Sequence, residues 1–192
     1  MQQVNKENKN KPAVINGIDT DGVKALIGHV AEDSANAITH WQVTSSWKGG
    51  TRSDTKVSGY GFGKEHIKKD FTISIDEPTE LGGTNQFANP QEYLLAAMNG
   101  CIMVGYVVGC SMEGIELEEL RIETEGDIDL RGFLGLDPNV KPGYDEISYT
   151  VHIKGNGTPE QFQKVHETVC ATSPNRFNVA NAIKLNSKLV VE

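Results

Sequence analysis

The stretch from Asn89 to Gly114 limits the fold of this chain more than any other part of the sequence. Asn89 is a good helix cap, Pro90 suits the first helical position because it has no N–H to satisfy there, and Gly114 is a natural stop. Between these signals the residues are apolar on every face, which marks a helix enclosed by protein or lipid. The apolar run is at the lower limit for a membrane span, and Gly105-x-x-x-Gly109 resembles a helix-packing motif. Asn99 in mid-helix and the strand-like segments around it favour the core helix of a water-soluble sheet protein.

The flanking segments read in order as helix, three strands, central helix, two strands, helix and strand. Val23, Leu26, Ile27 and Val30 give a helical spacing within Asp19 to Asn36. Trp41, Val43, Ser45 and Trp47 alternate as a strand, Gly49-Gly50 predicts a two-residue hairpin turn, and Thr51 to Phe62 returns as the second strand. Phe71, Ile73 and Ile75 mark the third strand. Glu77 to Ala88 is turn-rich. Leu117, Leu120 and Ile122 fall in a strand whose glutamates predict a wet second face, and Ile147 to Lys154 alternates cleanly. Thr158-Pro159 opens a helix that ends near Ser173-Pro174, and Ile183 to Val191 alternates as a last strand.

This order predicts an α+β fold with mostly antiparallel sheet. Residues 1–18 read as a flexible tail and 19–192 as a single domain. An open sheet covers one side of an all-round apolar helix and leaves the other bare. A homodimer whose partner covers the far side resolves that conflict.

The net charge of −8 argues against nucleic acid and anionic membrane surfaces as partners. The three cysteines, Cys101, Cys110 and Cys170, form no CxxC and no Cys/His pair at zinc spacing. Neither a disulfide framework nor a metal site is expected, and a reducing, cytoplasmic setting fits. The N-terminus has no apolar core of a signal peptide. No phosphate loop, dinucleotide fingerprint or hydrolase elbow is present, so no cofactor is expected.

Cys101 lies too deep in its helix for the helix dipole alone to activate it, so a reactive role needs a partner such as an arginine. Inert packing is the plainer alternative. Cys110 falls on the opposite helix face and reads as packing. His166, Cys170 and Ser173 line one stripe of the second helix; spacing alone favours an ordinary solvent-edge histidine over a Cys–His pair.

Trp47-Lys48-Gly49-Gly50-Thr51-Arg52, the run Asn89-Pro90-Gln91-Glu92-Tyr93-Leu94-Leu95-Ala96-Ala97 leading to Gly100-Cys101, and Thr172-Ser173-Pro174 together resemble the OsmC-like family, which includes the organic hydroperoxide resistance proteins. The resemblance covers most of the chain from about Trp41. It implies an intertwined α+β homodimer, with antiparallel sheets wrapped around two long central helices. It also implies peroxidase chemistry. A cysteine on the central helix attacks a peroxide and becomes a sulfenic acid, a second cysteine condenses with it, and a dithiol reduces the disulfide.

Carried over, Cys101 is the attacking thiol and Arg52 its cation. The family's glutamate position holds Gln91, with Glu92 beside it. The position of the second cysteine holds Ser173. Cys170, one turn earlier, is the substitute if the side chains approach, since a disulfide needs Cα atoms within about 7 Å. The resemblance therefore implies thiol-dependent reduction of an organic hydroperoxide in oxidative stress defence. The alternative is a non-catalytic dimer binding a small apolar or thiol compound. The loop from Gly126 to Tyr144 reads equally as a lid or as a packing loop.

Overall fold

The computed structural model describes residues 14–192, and the chain divides into two compact units, one ending at Tyr93 and the other beginning at Leu94. The first part of the segment read as a tail lies outside the described residues.

In the first unit, β1 (Val14–Ile15) and β2 (Ile18–Asp19) form a short antiparallel ladder ahead of α1 (Thr20–Glu32). Asp19 caps α1 by accepting from the N–H groups of Asp21 and Gly22. An antiparallel sheet follows: β3 (Thr39–Trp41), β4 (Thr44–Trp47), β5 (Ser53–Phe62) and β6 (Glu65–Ile75). β5 is its centre, pairing with β3, β4 and β6.

The single strand expected over Trp41 to Trp47 is two strands. Trp41 pairs with Tyr60 but Thr44 with Lys56, so three β5 residues face Gln42 and Val43 and break the ladder. The β5–β6 register also slips between Val57 and Gly59. The hairpin turn is likewise one residue longer than expected. Lys48 N–H donates to the Arg52 carbonyl at 2.9 Å, which closes a loop of Gly49, Gly50 and Thr51. Both glycines hold positive φ (95° and 57°), a conformation that costs glycine little.

Asp76 organises the segment that follows. Its carboxylate is fully enclosed and accepts from Thr51 Oγ1, from the Thr84 hydroxyl and N–H, and from Gln86 N–H. These bonds, led by the Thr84 hydroxyl, hold its pKa well below the usual carboxylate range. The folded state thus prefers the ionised form. Asp76 contributes its full stabilisation above the unfolded-state pKa of about 3.9, and that contribution is lost as pH falls toward the lowered folded value. Asp76→Asn is therefore expected to lower the melting temperature at pH 7, and the gap from wild type should narrow below about pH 4. Melts by circular dichroism across pH check this, and a gap independent of pH contradicts it.

α2 (Pro90–Met112) is the central helix, bounded as the sequence predicts. Asn89 Oδ1 accepts from Glu92 N–H and Glu92 Oε2 from Asn89 N–H, both at 2.8 Å, a reciprocal cap. At the far end Gly114 has φ 74°, and Ile115 N–H reaches back to the Cys110 carbonyl at 2.8 Å. By length and composition this helix is able to cross a membrane. Its one mid-helix amide, Asn99, accepts from Thr124 Oγ1 at 2.6 Å, as expected of a helix packed within protein.

The second unit continues with β7 (Leu117–Glu125), the single turn α3 (Leu130–Phe133), β8 (Ser148–Gly155), α4 (Pro159–Thr172) and α5 (Pro174–Ala180). β7 and β8 pair antiparallel. Leu120, Ile122, Val151 and Ile153 pack on the core, while on the wet face Arg121 pairs with Glu123, Lys154 with Glu118, and His152 Nε2 bonds Glu123. Thr158 and Gln161 form the capping box that starts α4.

The core is a stripe of α2 at every fourth residue, Met98, Ile102, Tyr106 and Cys110, closed by Ile115 and by Val165 and Val169 of α4. A Cβ added at Gly105 would lie 3.0 Å from a Val169 methyl, and one at Gly109 would lie 3.0 Å from a Val165 methyl. The glycine pair is thus the seat of α4.

The strand expected over Ile183 to Val191 does not form; those residues have no regular secondary structure, and Leu185 and Leu189 stand exposed. Alternation makes one face apolar, but a strand also needs a hydrogen-bonding edge, and none is paired with this segment. Conversely, Pro174 does not simply end α4 but begins α5, because proline is pre-organised for a first helical position.

Candidate functional site

Cys101 lies half-buried on α2. Ser173 Oγ donates to its sulphur at 3.5 Å, and Ser173 itself is buried. Ser173 ends α4 and also starts α5. The corner is fixed by Ser173 N–H to the Val169 carbonyl (2.9 Å) and by Asn175 Nδ2 to the Ala97 carbonyl of α2 (2.9 Å). Of the residues proposed from sequence, the structure thus brings Cys101 and Ser173 together.

Cys170 belongs to a different set of contacts. Its sulphur is 3.6 Å from His166 Nε2 and 3.6 Å from Tyr149 Oη. The other ring nitrogen of His166, Nδ1, bonds the Tyr106 hydroxyl. Arg176 Nε donates to Tyr149 Oη at 3.1 Å, and Arg176 Nη1 donates to the Cys170 carbonyl at 2.7 Å. Burial pushes the Tyr106 phenol up to about 12, so it stays neutral. The Tyr149 phenol is also raised, again chiefly by burial. The Cys–His pair that spacing alone disfavoured is therefore present.

Cys110 is fully enclosed in the core, and burial raises its thiol pKa, as befits packing. All three cysteines are free thiols.

Arg52, Gln91 and Glu92 fall before the boundary at Tyr93. The Arg52 guanidinium carbon stands 5.1 Å from the Phe87 ring centroid, a cation–π contact. Glu92 is committed to the α2 cap, which leaves Gln91, exposed on the first turn, as the freer polar group.

Tyr106, Tyr149 and Arg176 are not signalled by the sequence. Tyr106 sits in an apolar run and Tyr149 in a regular strand, while Arg176 follows a proline that reads as a terminator. Only the His166/Cys170 spacing of one helical turn hinted at the cluster. Among the described residues no group of three or more His, Cys, Asp or Glu is placed to hold a metal ion.

The chain resembles several known proteins. The Bacillus subtilis (strain 168) protein YmaD, itself uncharacterised, is 23% identical over 158 residues, spanning 80% of this chain and 92% of YmaD. An OsmC-like protein of Mycoplasma pneumoniae has a similar structure, with a TM-score of 0.57 at 14% identity over 73% of this chain and 86% of that one. An OsmC-like hydroperoxide resistance protein of Jannaschia sp. CCS1 aligns over 80% of this chain and 91% of that one, at 14% identity and a TM-score of 0.43. The family model described as OsmC-like protein matches residues 83–188, which include α2, Cys101, Cys170 and Ser173. With more than half its length matched, the chain belongs to the OsmC-like family.

Proposed function

We propose that this protein reduces organic hydroperoxides through Cys101, as a cytoplasmic homodimer. The observation that carries the reading is the Cys101–Ser173 contact, which joins the Gly-Cys of the central helix to the position where the family pattern has its second cysteine. The sulphur attacks the outer peroxide oxygen, and the O–O bond breaks. Cys101 becomes a sulfenic acid, and the alcohol leaves with a proton. The Ser173 hydroxyl donates to the sulphur and so fixes its position at the α4–α5 corner. Serine forms no disulfide, so an external thiol condenses with the sulfenic acid, releasing water. A second thiol then frees Cys101 and leaves as the external disulfide. Arg52 is the cation of this reading, carried over from the family pattern, with Gln91 as orienting group in place of glutamate.

The homodimer is supported by burial. The large hydrophobic side chains buried among the described residues all come from the second unit, whereas Trp41, Trp47 and Phe71 of the first unit's sheet, and Val43 between β3 and β4, are exposed. On α2, Val104 is 63% exposed. Apolar surface on this scale marks an interface.

Stopped-flow consumption of cumene hydroperoxide with a monothiol reductant tests the function. Cys101→Ser should reduce the rate at least about a hundredfold, as expected when a nucleophile is removed. An unchanged rate overturns the proposal.

A further inference from the structure

We propose that Cys170, His166 and Tyr106 form a second reactive-thiol site, separate from Cys101, that exchanges with small apolar disulfides. Three observations carry it. A nucleophile, a base and an orienting group follow one another: Cys170 Sγ to His166 Nε2, then His166 Nδ1 to the Tyr106 hydroxyl. That is the order by which an adjacent base activates a nucleophile and a third group fixes the base. Tyr106 is 2% exposed and anchored in the core, so it holds the imidazole ring with Nε2 toward the sulphur. On its other side the sulphur meets Tyr149 Oη. The phenol oxygen accepts from Arg176 and so has its own proton to donate to sulphur.

A cavity of about 280 Å³ is walled by Val151, Ile153 and Phe162 and edged by Tyr106, Tyr149 and His166; Cys170 is not in its lining, but two of the edge residues, Tyr149 and His166, contact its sulphur. Its apolar wall and polar edge suit a small ligand with an apolar body and a reactive end. In the tautomer with Nδ1–H donating to Tyr106 Oη, Nε2 accepts the thiol proton. The Cys170 sulphur then attacks one sulphur of a small disulfide, RS–SR. The S–S bond breaks, a Cys170–S–S–R bond forms, and the departing RS⁻ takes the proton from His166 as RSH. Protein thiol and disulfide go to mixed disulfide and free thiol, with no other oxidant.

The test uses the full-length reduced protein with dithiodipyridine, an aromatic disulfide, following thiopyridone release and mapping the modified cysteine by peptide mass spectrometry. The expected result is a fast phase on Cys170. His166→Gln should slow that phase at least about tenfold and flatten its pH dependence. The Cys101 labelling rate in the same variant should stay unchanged and serves as the control for folding. Tyr106→Phe should also slow the fast phase. A fast phase confined to Cys101, no effect of His166→Gln, or a Cys101–Cys170 disulfide in the product overturns the proposal. Cys101→Ser should leave the Cys170 phase intact, so failure of the peroxide reading and failure of this one are distinguishable.

Discussion

Ser173→Cys is expected to convert the protein from an external-thiol to an internal-disulfide mechanism. The Ser173 oxygen already lies 3.5 Å from the Cys101 sulphur, so a thiol there starts in contact. A peroxide equivalent would oxidise Cys101 to the sulfenic acid, and the introduced thiol would displace water to form the S–S bond. The variant should lose two titratable thiols together, and a disulfide-linked peptide joining α2 to the α4–α5 corner should be recovered. The wild type, in which all three cysteines are free, should show a dimedone-trappable sulfenic acid at Cys101. Thiol titration and peptide mapping check the contrast. Independent loss of single thiols in Ser173→Cys would mean that the corner does not admit disulfide geometry.

Gly105→Val is expected to lower stability more than any surface change. A Cβ there lies 3.0 Å and 3.3 Å from the two Val169 methyls, and Val169 is itself buried. Alanine would ask Val169 to shift by a few tenths of an ångström, and the gain in helix propensity of up to about 1 kcal/mol would offset that. Valine adds two more methyls where α4 is seated. Overpacking of this kind costs about 1–3 kcal/mol. At about 2–4 °C per kcal/mol for a chain of this size, the melting temperature should fall by several degrees. Differential scanning calorimetry decides; a melting temperature at or above wild type would show that α4 is free to move off α2.

The central helix was legible because its signals are local. Asn89, Pro90 and Gly114 act within a turn of where they stand, and the structure keeps those limits. The hairpin and the break after Trp41 were less legible, since register depends on two strands at once and β5 carries the extra residue. Alternation over Ile183 to Val191 misled because it reports a face and not an edge. Cys101 and Ser173, which the structure brings into contact, were singled out by motif positions. The surroundings of Cys170 were not, because Tyr106, Tyr149 and Arg176 come from three separate elements.

Placing Ser173 at a corner instead of within a helix has a mechanical consequence. A side chain within a helix moves with one axis, but this one is held by two, with Asn175 tying the second back to α2 beside Cys101. The chemistry proposed at Cys101 would thereby be geared to α5, the seven-residue helix that begins after Ser173. Fraying of α5 should register as a change in the reactivity of the Cys101 thiol on α2, so this short helix acts as the tensioner of that thiol's surroundings.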